Sequence, residues 1–400
     1  MMILVLNCGS SSVKYQLIDM DKELALARGS VDRIGMSASV LTHIPHDRPP
    51  RKVSREILDH IQAIDQVISM LLSEKYGVIS DKSEINAVGH RVVHGGESFT
   101  EPVLVTPELM GEIRNLIDLA PLHNPHNIRG ISAARKNLPN IPQIAVFDTA
   151  FHHRIPPHAH IYGIPYQLYK KYAIRRYGFH GPSHQFVSEM AAGKLGRPIE
   201  ELKMITCHLG NGASMSAVNG GVSIDTTMGF TPLEGLLMGT RSGDADPAII
   251  LHIMAREELN LHEANTLLNK HSGLIGISGL SSDVREIQEA AEQGHPNARL
   301  ALEAYCYRIK KYIGAYAAVM GGLDVIVFTG GVGQNSSVVR NKCMSNLEFL
   351  GLRIDEGKNT SYNEGIGDIS AEDSKVKTLV VPTNEELVIA RETMRIVNKG

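Results

Sequence analysis

The most informative stretch of this chain is Leu323-Asp324-Val325-Ile326-Val327-Phe328-Thr329-Gly330-Gly331-Val332-Gly333-Gln334-Asn335. Its apolar first half predicts a buried strand, and its glycines predict a turn where that strand ends. Glycine has no Cβ and readily adopts positive φ, so backbone N–H groups in such a turn can converge on a phosphate or a ribose. A glycine pair after a strand is also typical of a plain tight turn, so this stretch alone leaves both interpretations open.

Two other stretches have the same plan of an apolar strand followed by a turn of small polar residues. They are Ile3-Leu4-Val5-Leu6-Asn7-Cys8-Gly9-Ser10-Ser11-Ser12-Val13-Lys14 and Met204-Ile205-Thr206-Cys207-His208-Leu209-Gly210-Asn211-Gly212-Ala213-Ser214. Residues 3–18 predict a β-hairpin, and residues 203–225 repeat the strand-turn-strand plan in the second half of the chain. This internal duplication predicts an α/β fold of two related domains that flank a nucleotide cleft.

Composition and charge narrow the classes of function. A chain of 400 residues exceeds the size at which one core keeps growing, so two domains are expected. The apolar run at 143–148 ends in an acid, which indicates that the first domain ends near residue 150. The formal charge of −3 gives no field for nucleic acid or for an anionic membrane, so small-molecule partners are expected.

Targeting signals and cysteine patterns point to a cytoplasmic protein. The first residues lack a basic segment and reach polar Asn7 too early for a signal peptide, and no run of about 18 apolar residues follows. The cysteines lie far apart without C-x-x-C spacing, which disfavours a zinc site and fits free thiols in a reducing cytosol. The 18 histidines lack H-E-x-x-H spacing.

Apolar spacing predicts the main helices and the remaining strands. Helical periodicity covers 54–77, 107–119, 245–270 and 284–320. Short strands are predicted at 87–93 and 143–148. Near the end, Thr383 or Asn384 followed by two acids predicts the N-cap of a terminal helix.

Eight motifs in order give the chain a specific resemblance. They are LNCGSSSVK (6–14), HRVVHGG (90–96), FDTAFH (147–152), YGFHG (177–181), HLGNG (208–212), TRSGD (240–244), FTGG (328–331) and PTNEE (382–386). With them the chain resembles the acetokinase family, within the acetate and sugar kinase, Hsp70 and actin superfamily, over essentially its whole length.

The resemblance implies phosphoryl transfer from ATP to acetate, giving ADP and acetyl phosphate, with Mg²⁺ or with Mn²⁺ in its place. It implies two ribonuclease H-like domains, 1–150 plus a returning helix at 385–400, and 151–384. It also implies a homodimer with no nucleic-acid or membrane partner. Propionate or butyrate would be the acceptor in a kinase with the same catalytic set.

Two arginines are the cations that the chemistry needs. Phosphoryl transfer depends on placement and on cations around the equatorial oxygens, and a guanidinium fork matches carboxylate or phosphoryl oxygens. Arg91 lies near the end of the predicted strand 87–93, just before His94-Gly95-Gly96, and Arg241 lies in a glycine-flanked loop. Both are therefore expected to be catalytic, and Arg91 also to orient the acid. Otherwise each would be a surface ion pair.

The family positions add His180 and His123 as catalytic candidates and Asp148 as a proton donor or acceptor. A simple carboxylic acid has a pKa near that of Glu, about 4.3, and is already ionised at neutral pH, which leaves a base nothing to remove. Asp148 is therefore expected to position Arg91, Arg241 or magnesium waters, with a helix N-cap as the alternative.

The resemblance also implies the binding residues. Metal ligands are Asn7 and Glu385, and Glu386 could exchange roles with Glu385. The acyl pocket is formed by Val93, Leu122, Phe179 and Pro232, whose alternative role is ordinary core. The ATP-binding positions are Ser10, Ser12, Lys14, His208, Leu209, Gly210, Asn211, Gly212, Asp283, Val284, Arg285, Gly331, Val332, Gly333, Gln334 and Asn335.

A different class of function shares the predicted architecture. A nucleotide-driven binding protein like Hsp70 or actin would bind ATP without acid-dependent release of ADP. Such a protein has no use for Arg91, His180 and Arg241 acting on a second substrate, which favours the kinase.

Overall fold

The computed structural model describes residues 1–121 and 123–399 of the chain. They form two compact units: unit 1 comprises Met1–Ala150 with Asn384–Gly400, and unit 2 comprises Phe151–Thr383. Within the described residues, no helix combines the length and apolar character needed to cross a membrane.

Unit 1 contains a mixed sheet with the strand order β5-β4-β3-β2-β1-β6-β8-β7. Strands β1 to β5 form an antiparallel meander, while β1, β6 and β8 are parallel. The strands are β1 (Met2–Cys8), β2 (Ser12–Asp19), β3 (Leu24–Asp32), β4 (Ser39–Pro45), β5 (Arg51–Arg55), β6 (Ala87–Val92), β7 (Val103–Leu104) and β8 (Gln143–Phe147).

Helices cover the sheet of unit 1. The helices α1 (His60–Leu71) and α3 (Asn124–Asn137) pack on the face that carries Leu4 and Leu6, and α2 (Pro107–Asn115) packs beside α3. The terminal helix α15 (Glu385–Val397) packs on β1, β6 and β8. Gly89 of β6 permits this contact, because a Cβ there would lie 2.5 Å from Thr393 Oγ1 and 2.8 Å from Ile389 Cγ2.

Unit 2 contains a second mixed sheet with the order β11-β10-β9-β12-β14-β13. Its meander β9-β10-β11 is antiparallel and its β9, β12 and β14 are parallel, which repeats the arrangement of β1-β2-β3 with β6 and β8. The strands are β9 (Lys203–Leu209), β10 (Ala213–Asn219), β11 (Val222–Thr226), β12 (Val325–Thr329), β13 (Gly367–Asp368) and β14 (Lys377–Val380). The duplicated strand-turn-strand plan and the α/β fold class are thus confirmed.

The helices of unit 2 either precede β9 or lie between later strands in sequence. They are α4 (Pro157–His160), α5 (Tyr166–Tyr172), α6 (Gly181–Leu195), α7 (Pro247–Arg256), α8 (Leu261–Lys270), α9 (Gly273–Ser278), α10 (Val284–Glu292), α11 (Pro296–Met320), α12 (Gly330–Asn335), α13 (Ser337–Met344) and α14 (Glu356–Ser361). The long helix α11 packs on α9, α10 and α13 and on the sheet, where Tyr305, Ile309 and Ile313 are fully buried.

Several predicted elements differ from the structure. The glycine segment after β12 is the short helix α12 rather than a turn, with only Gly330 at positive φ (75°). The predicted helix at 54–77 is limited to α1, because residues 51–55 belong to the edge strand β5. The periodic stretches 245–270 and 284–320 are each two helices, broken at 257–260 and 293–295.

Other predicted elements are confirmed. The hairpin at 3–18 is β1 and β2, paired from Met2 with Asp19 to Cys8 with Val13. The predicted helix at 107–119 is α2 followed by a 3-10 turn at Ile117–Leu119. Asn384 is the N-cap of α15, and its side chain accepts a hydrogen bond from the backbone of Leu387 at 3.0 Å.

Candidate active site

Arg91 is held between two carboxylates in unit 1. Its Nε and Nη2 donate to the two oxygens of Asp148 at 2.8 and 2.7 Å, and Nη1 lies 3.3 Å from Glu385 Oε2. Burial disfavours the charged guanidinium and so acts to lower its pKa. Asp148 and Glu385 outweigh this effect and hold the pKa of Arg91 above its usual range. The guanidinium is therefore permanently charged and fixed in orientation.

The local folding explains why these three side chains meet. Strands β6 and β8 are parallel neighbours, and Asp148 directly follows β8 with its N–H bonded to Val92 O at 2.9 Å. Helix α15 packs on β6 and begins at Glu385. Acidic side chains in the first turn of a helix are stabilised by its dipole, so two acids can lie beside Arg91.

Glu386 adds a second carboxylate in this first turn of α15. Its burial, followed by the charge of Glu385, raises the pKa of Glu386 above its usual value, while Arg91 and Lys14 act in the opposite direction. Lys14 pairs with Asn7 in the register of β1 and β2, so the two side chains lie on the same face of the sheet. The predicted metal and phosphate residues of unit 1 therefore share one surface with Arg91.

The turn between β1 and β2 carries Ser10 and Ser12 and is fixed by residues that sequence reasoning missed. His60 Nε2 donates to Gly9 O at 2.8 Å, and Asn127 Nδ2 donates to Cys8 O at 3.0 Å. The only sequence signal for these two residues is that each lies at the start of a helix.

The acyl-pocket candidates are distributed over both units. Val93 donates its N–H to Asn127 Oδ1 at 3.1 Å, and His123 is the N-cap of α3. Leu122 lies outside the described residues. In unit 2, Phe179 is 1% exposed and its carbonyl accepts from His152 Nε2 at 3.0 Å, while Pro232 offers its carbonyl to Arg241.

A network of histidines and hydroxyls surrounds His180 in unit 2. His180 Nδ1 lies 2.9 Å from Ser214 Oγ, which also bonds His184 Nε2 at 2.8 Å. His208 Nδ1 lies 2.7 Å from Ser183 Oγ, and the rings of His180 and His208 stack with their centroids 4.3 Å apart. The hydroxyls thus orient both rings. His184 was not predicted, because a buried support shows no sequence signal.

Acid should destabilise the protein through its buried histidines. Burial lowers the pKa of His90 and His152 to about 4, and burial followed by the nearby His152 and His208 lowers that of His184 well below its usual value. Because these rings are neutral when folded, stability is present above the unfolded pKa of about 6.5 and is lost as pH falls towards the folded values.

The expected loss is on the order of 3 kcal/mol for each of His90 and His152 by pH 4. We expect the midpoint temperature of thermal unfolding, measured from pH 8 to 4.5, to decrease once the pH is lower than about 6.5. The variant His152→Gln should show a shallower fall, and a flat profile for the unchanged protein would contradict the assignment.

Arg241 differs from Arg91 in having no carboxylate partner. Its Nη1 donates to Pro232 O at 3.2 Å, and burial lowers its pKa. Among the residues that the structure describes, no carboxylate lies within 4.0 Å of its guanidinium. A Cβ on Gly212 would lie 3.7 Å from Arg241 Nη1 and 3.8 Å from His180 Cε1, so these three residues converge. A half-buried guanidinium that lies beside a glycine, with no carboxylate near it among the described residues, is suited to an anion.

The loop that carries Arg241 is closed by Asp244. Its Oδ1 accepts from Gly235 N at 2.8 Å, its N–H donates to Gly235 O at 2.9 Å, and Tyr312 OH donates to its Oδ2 at 2.7 Å. Gly243 has a φ of 66°, and a Cβ there would meet Leu236 O at 2.3 Å. Arg241 therefore lies in a rigid loop.

The predicted nucleotide segments of unit 2 converge at the end of β9. A Cβ on Gly330 would meet Leu209 O at 2.6 Å, so the start of α12 lies against the 208–212 turn. Gly239 contacts both Asn211 and Ser282, next to Asp283. Asp283 is the N-cap of α10 and forms an ion pair with Arg285 at 2.6 Å.

Arg340 supports α12 and was also missed. This buried guanidinium donates to Gly333 O at 2.9 Å, to Gln334 O at 2.7 Å and to Asn359 Oδ1 at 2.7 Å. The carbonyls at the end of a helix need such donors.

No preformed cage for a metal ion is found in residues 1–121 and 123–399, where no group of three or more His, Cys, Asp or Glu side chains is arranged to hold one. The side-chain oxygens of Asn7, Glu385 and Glu386 are the remaining candidates for metal ligands. This is the sparse type of donor set that Mg²⁺ accepts, because Mg²⁺ keeps several waters and binds substrate phosphates.

Comparisons with known proteins identify relatives over the whole chain. The sequence model of the acetokinase family matches residues 2–391. An acetate kinase of Acetivibrio thermocellus is 55% identical over 397 residues, 99% of either chain. The crystal structure of Porphyromonas gingivalis acetate kinase superposes with a TM-score of 0.95 at 47% identity, covering 99% of both chains. A propionate kinase from Francisella tularensis has a TM-score of 0.91 at 40% identity, also over 99% of both.

Proposed function

The chain belongs to the acetokinase family, and we propose from this premise that it transfers the γ-phosphoryl group of ATP reversibly to acetate. The observation that carries the proposal is Arg241, a half-buried guanidinium without a carboxylate partner among the described residues, which converges with His180 and Gly212. Such a group is preorganised for the charge of a transferring phosphoryl group.

The reaction needs no general base. An acetate oxygen attacks the γ-phosphorus as the bond to the oxygen that leaves with ADP breaks, and acetate is already ionised at neutral pH. Arg91, with its orientation set by Asp148, binds the carboxylate of the acid. Arg241 and His180 stabilise the phosphoryl group, and the segments at 208–212, 283–285 and 331–335 bind the nucleotide, with Lys14, Ser10 and Ser12 as further phosphate ligands. His123 is kept as a weaker catalytic candidate.

We infer that Mg²⁺ is the divalent metal, or Mn²⁺ in its place. Asn7 and Glu385 would hold it, or Glu386 instead of Glu385. The face that these residues share with Lys14 and Arg91 supports the assignment. The metal would neutralise phosphate charge, which is its usual contribution in phosphoryl transfer.

Changing Asp148 to asparagine tests its positioning role. The change keeps the shape but removes the charge that fixes Arg91, so kcat should fall while the acid limb of the pH profile of kcat keeps its position. The measurement is kcat from pH 5 to 9 for both proteins. Disappearance of one pKa from the profile of the variant would instead assign proton transfer to Asp148.

The acceptor is tested by a hydroxamate assay for the acyl phosphate with ATP, Mg²⁺ and one acid at a time. We expect kcat/KM to be highest for acetate. Propionate should still be a substrate, but a slower one, because one methylene in an apolar pocket discriminates by only about 1–3 kcal/mol. We propose Val93, Leu122, Phe179 and Pro232 as the residues that contact the acyl group of the acid. ATP binding without acid-dependent ADP release would favour the Hsp70-like alternative.

We further propose a homodimer in the cytoplasm. Helix α7 supports the dimer: none of its residues is buried, although it contains Ile249 (49% exposed) and Leu251 (70% exposed). A second copy of the chain would cover this apolar helix. The free cysteines, all buried, agree with a reducing compartment. Light scattering gives the molar mass in solution.

A further inference from the structure

A basic groove lies between the edge strand β5 and helix α1 in unit 1. We define it by Arg51, Arg55, Gln66, Ser69, Ser73 and Tyr76, which line a cavity of about 420 Å³. Residues 66 and 69 lie on one face of α1, residue 73 follows the end of that helix, and residues 51 and 55 lie on one face of β5. The arginines therefore line the side of the groove that β5 forms, and the hydroxyls line the side formed by α1 and the residues that follow it.

Both arginines carry charge that the protein does not neutralise. Arg51 lies over the ring of Tyr76, 5.4 Å from its centroid, and Arg55 donates to Gln66 Oε1. Within the described part of the chain, neither arginine has a carboxylate within 4.0 Å. Lys75 lies over the same ring at 5.4 Å, which adds a third cation in a protein whose formal charge is −3.

The groove is far from the site at Arg91. Five strand spacings separate β5 from β6 in the sheet order, which is about 24 Å at the usual spacing. None of the groove residues belongs to the candidate active site. A ligand held here would therefore occupy a second, separate site on unit 1.

We propose that the basic groove binds a small metabolite that carries two phosphoryl groups. Arg51 and Arg55 are four residues apart on one strand, so their Cα atoms are separated by about 13 Å. Each guanidinium can receive one phosphoryl group in a two-point contact, while the Ser69 and Ser73 hydroxyls and the Tyr76 ring face the body of the ligand. The volume is within the range of small-molecule sites.

Calorimetric titration with glucose 1,6-bisphosphate tests the proposal, with saturating ADP and no acid so that nucleotide-site binding and turnover are excluded. We expect one site per chain and weaker binding of glucose 6-phosphate. Arg51→Gln and Arg55→Gln should each weaken the bisphosphate by about tenfold or more, since a charged hydrogen bond is lost. Both arginines are exposed, so the variants should fold normally.

Lys52→Gln is the matched control. Lys52 lies on the opposite face of β5, so this variant removes the same charge without touching the groove and should bind like the unchanged protein. Equal weakening in Lys52→Gln, or no bisphosphate binding at all, would overturn the proposal. The arginines would then serve only to protect an edge strand from pairing. Because the titration needs no turnover, its outcome is independent of the proposed kinase activity.

Discussion

Arg241→Ala is expected to lower kcat about a hundredfold or more, the usual effect of removing one preorganised donor from a transition state. Among residues 1–121 and 123–399, the side chain donates to Pro232 O at 3.2 Å and, weakly, to Met238 Sδ at 3.9 Å. No buried acid loses its partner in this variant. The midpoint of thermal unfolding should therefore change little while turnover is almost lost.

Steady-state kinetics with ATP and acetate varied separately provide the measurement. Arg197→Ala is a control in the same unit, because Arg197 forms an exposed ion pair with Asp324 at 3.2 Å and should leave kcat unchanged. If Arg241→Ala raised KM for acetate at constant kcat, the arginine would bind the acid in the ground state, and its assignment to the phosphoryl group would be wrong.

Arg91→Ala should lower kcat to a similar extent and also destabilise unit 1. The change removes the Arg91 ion pair from Asp148, whose side chain is 2% exposed, and from Glu385. Removing one partner of a buried ion pair typically destabilises a protein by about 3–5 kcal/mol. Hydrogen exchange resolved along the chain should show this loss in unit 1, and the thermal midpoint should fall.

The double variant Arg91→Ala, Asp148→Asn separates charge from packing. It also removes the negative charge at position 148 and should recover part of the lost stability but none of the turnover. Arg391→Ala is the exposed counterpart, since Arg391 forms a two-point pair with Glu23 at 2.7 Å but is 35% exposed, and it should lose less than about 1 kcal/mol. Equal losses at Arg91 and Arg391 would show that the Arg91 pair is effectively solvated.

The sequence predicted the elements that carry the site because they are continuous apolar runs with polar ends. Residues 203–209 and 143–147 are almost entirely buried strands, and the charged or glycine residues that follow them mark their carboxyl ends. The edge strand β5 gave no such signal, since it is mostly exposed and its arginines disrupt any apolar pattern.

The residues that support the candidate site could not be predicted, because their hydrogen-bond partners are distant in sequence. His60 contacts Gly9, Asn127 contacts Cys8 and Tyr312 contacts Asp244, and only the folded chain brings these pairs together. The glycines after β12 led to the wrong prediction of a turn. The residues after Gly330 form the helix α12 instead, and Arg340 stabilises the end of that short helix. Tertiary contacts thus overrode the local turn preference.

Unit 1 is discontinuous in sequence, and this affects how the protein is made on the ribosome. Its sheet is synthesised before unit 2, but the helix that covers Gly89 and brings Glu385 to Arg91 is translated after unit 2. Unit 2 is complete by Thr383, before that helix has emerged. Domains usually fold from the N-terminus during synthesis. Unit 1 therefore keeps one face of its sheet uncovered until α15 has been synthesised, and apolar strand surface stays exposed during that interval.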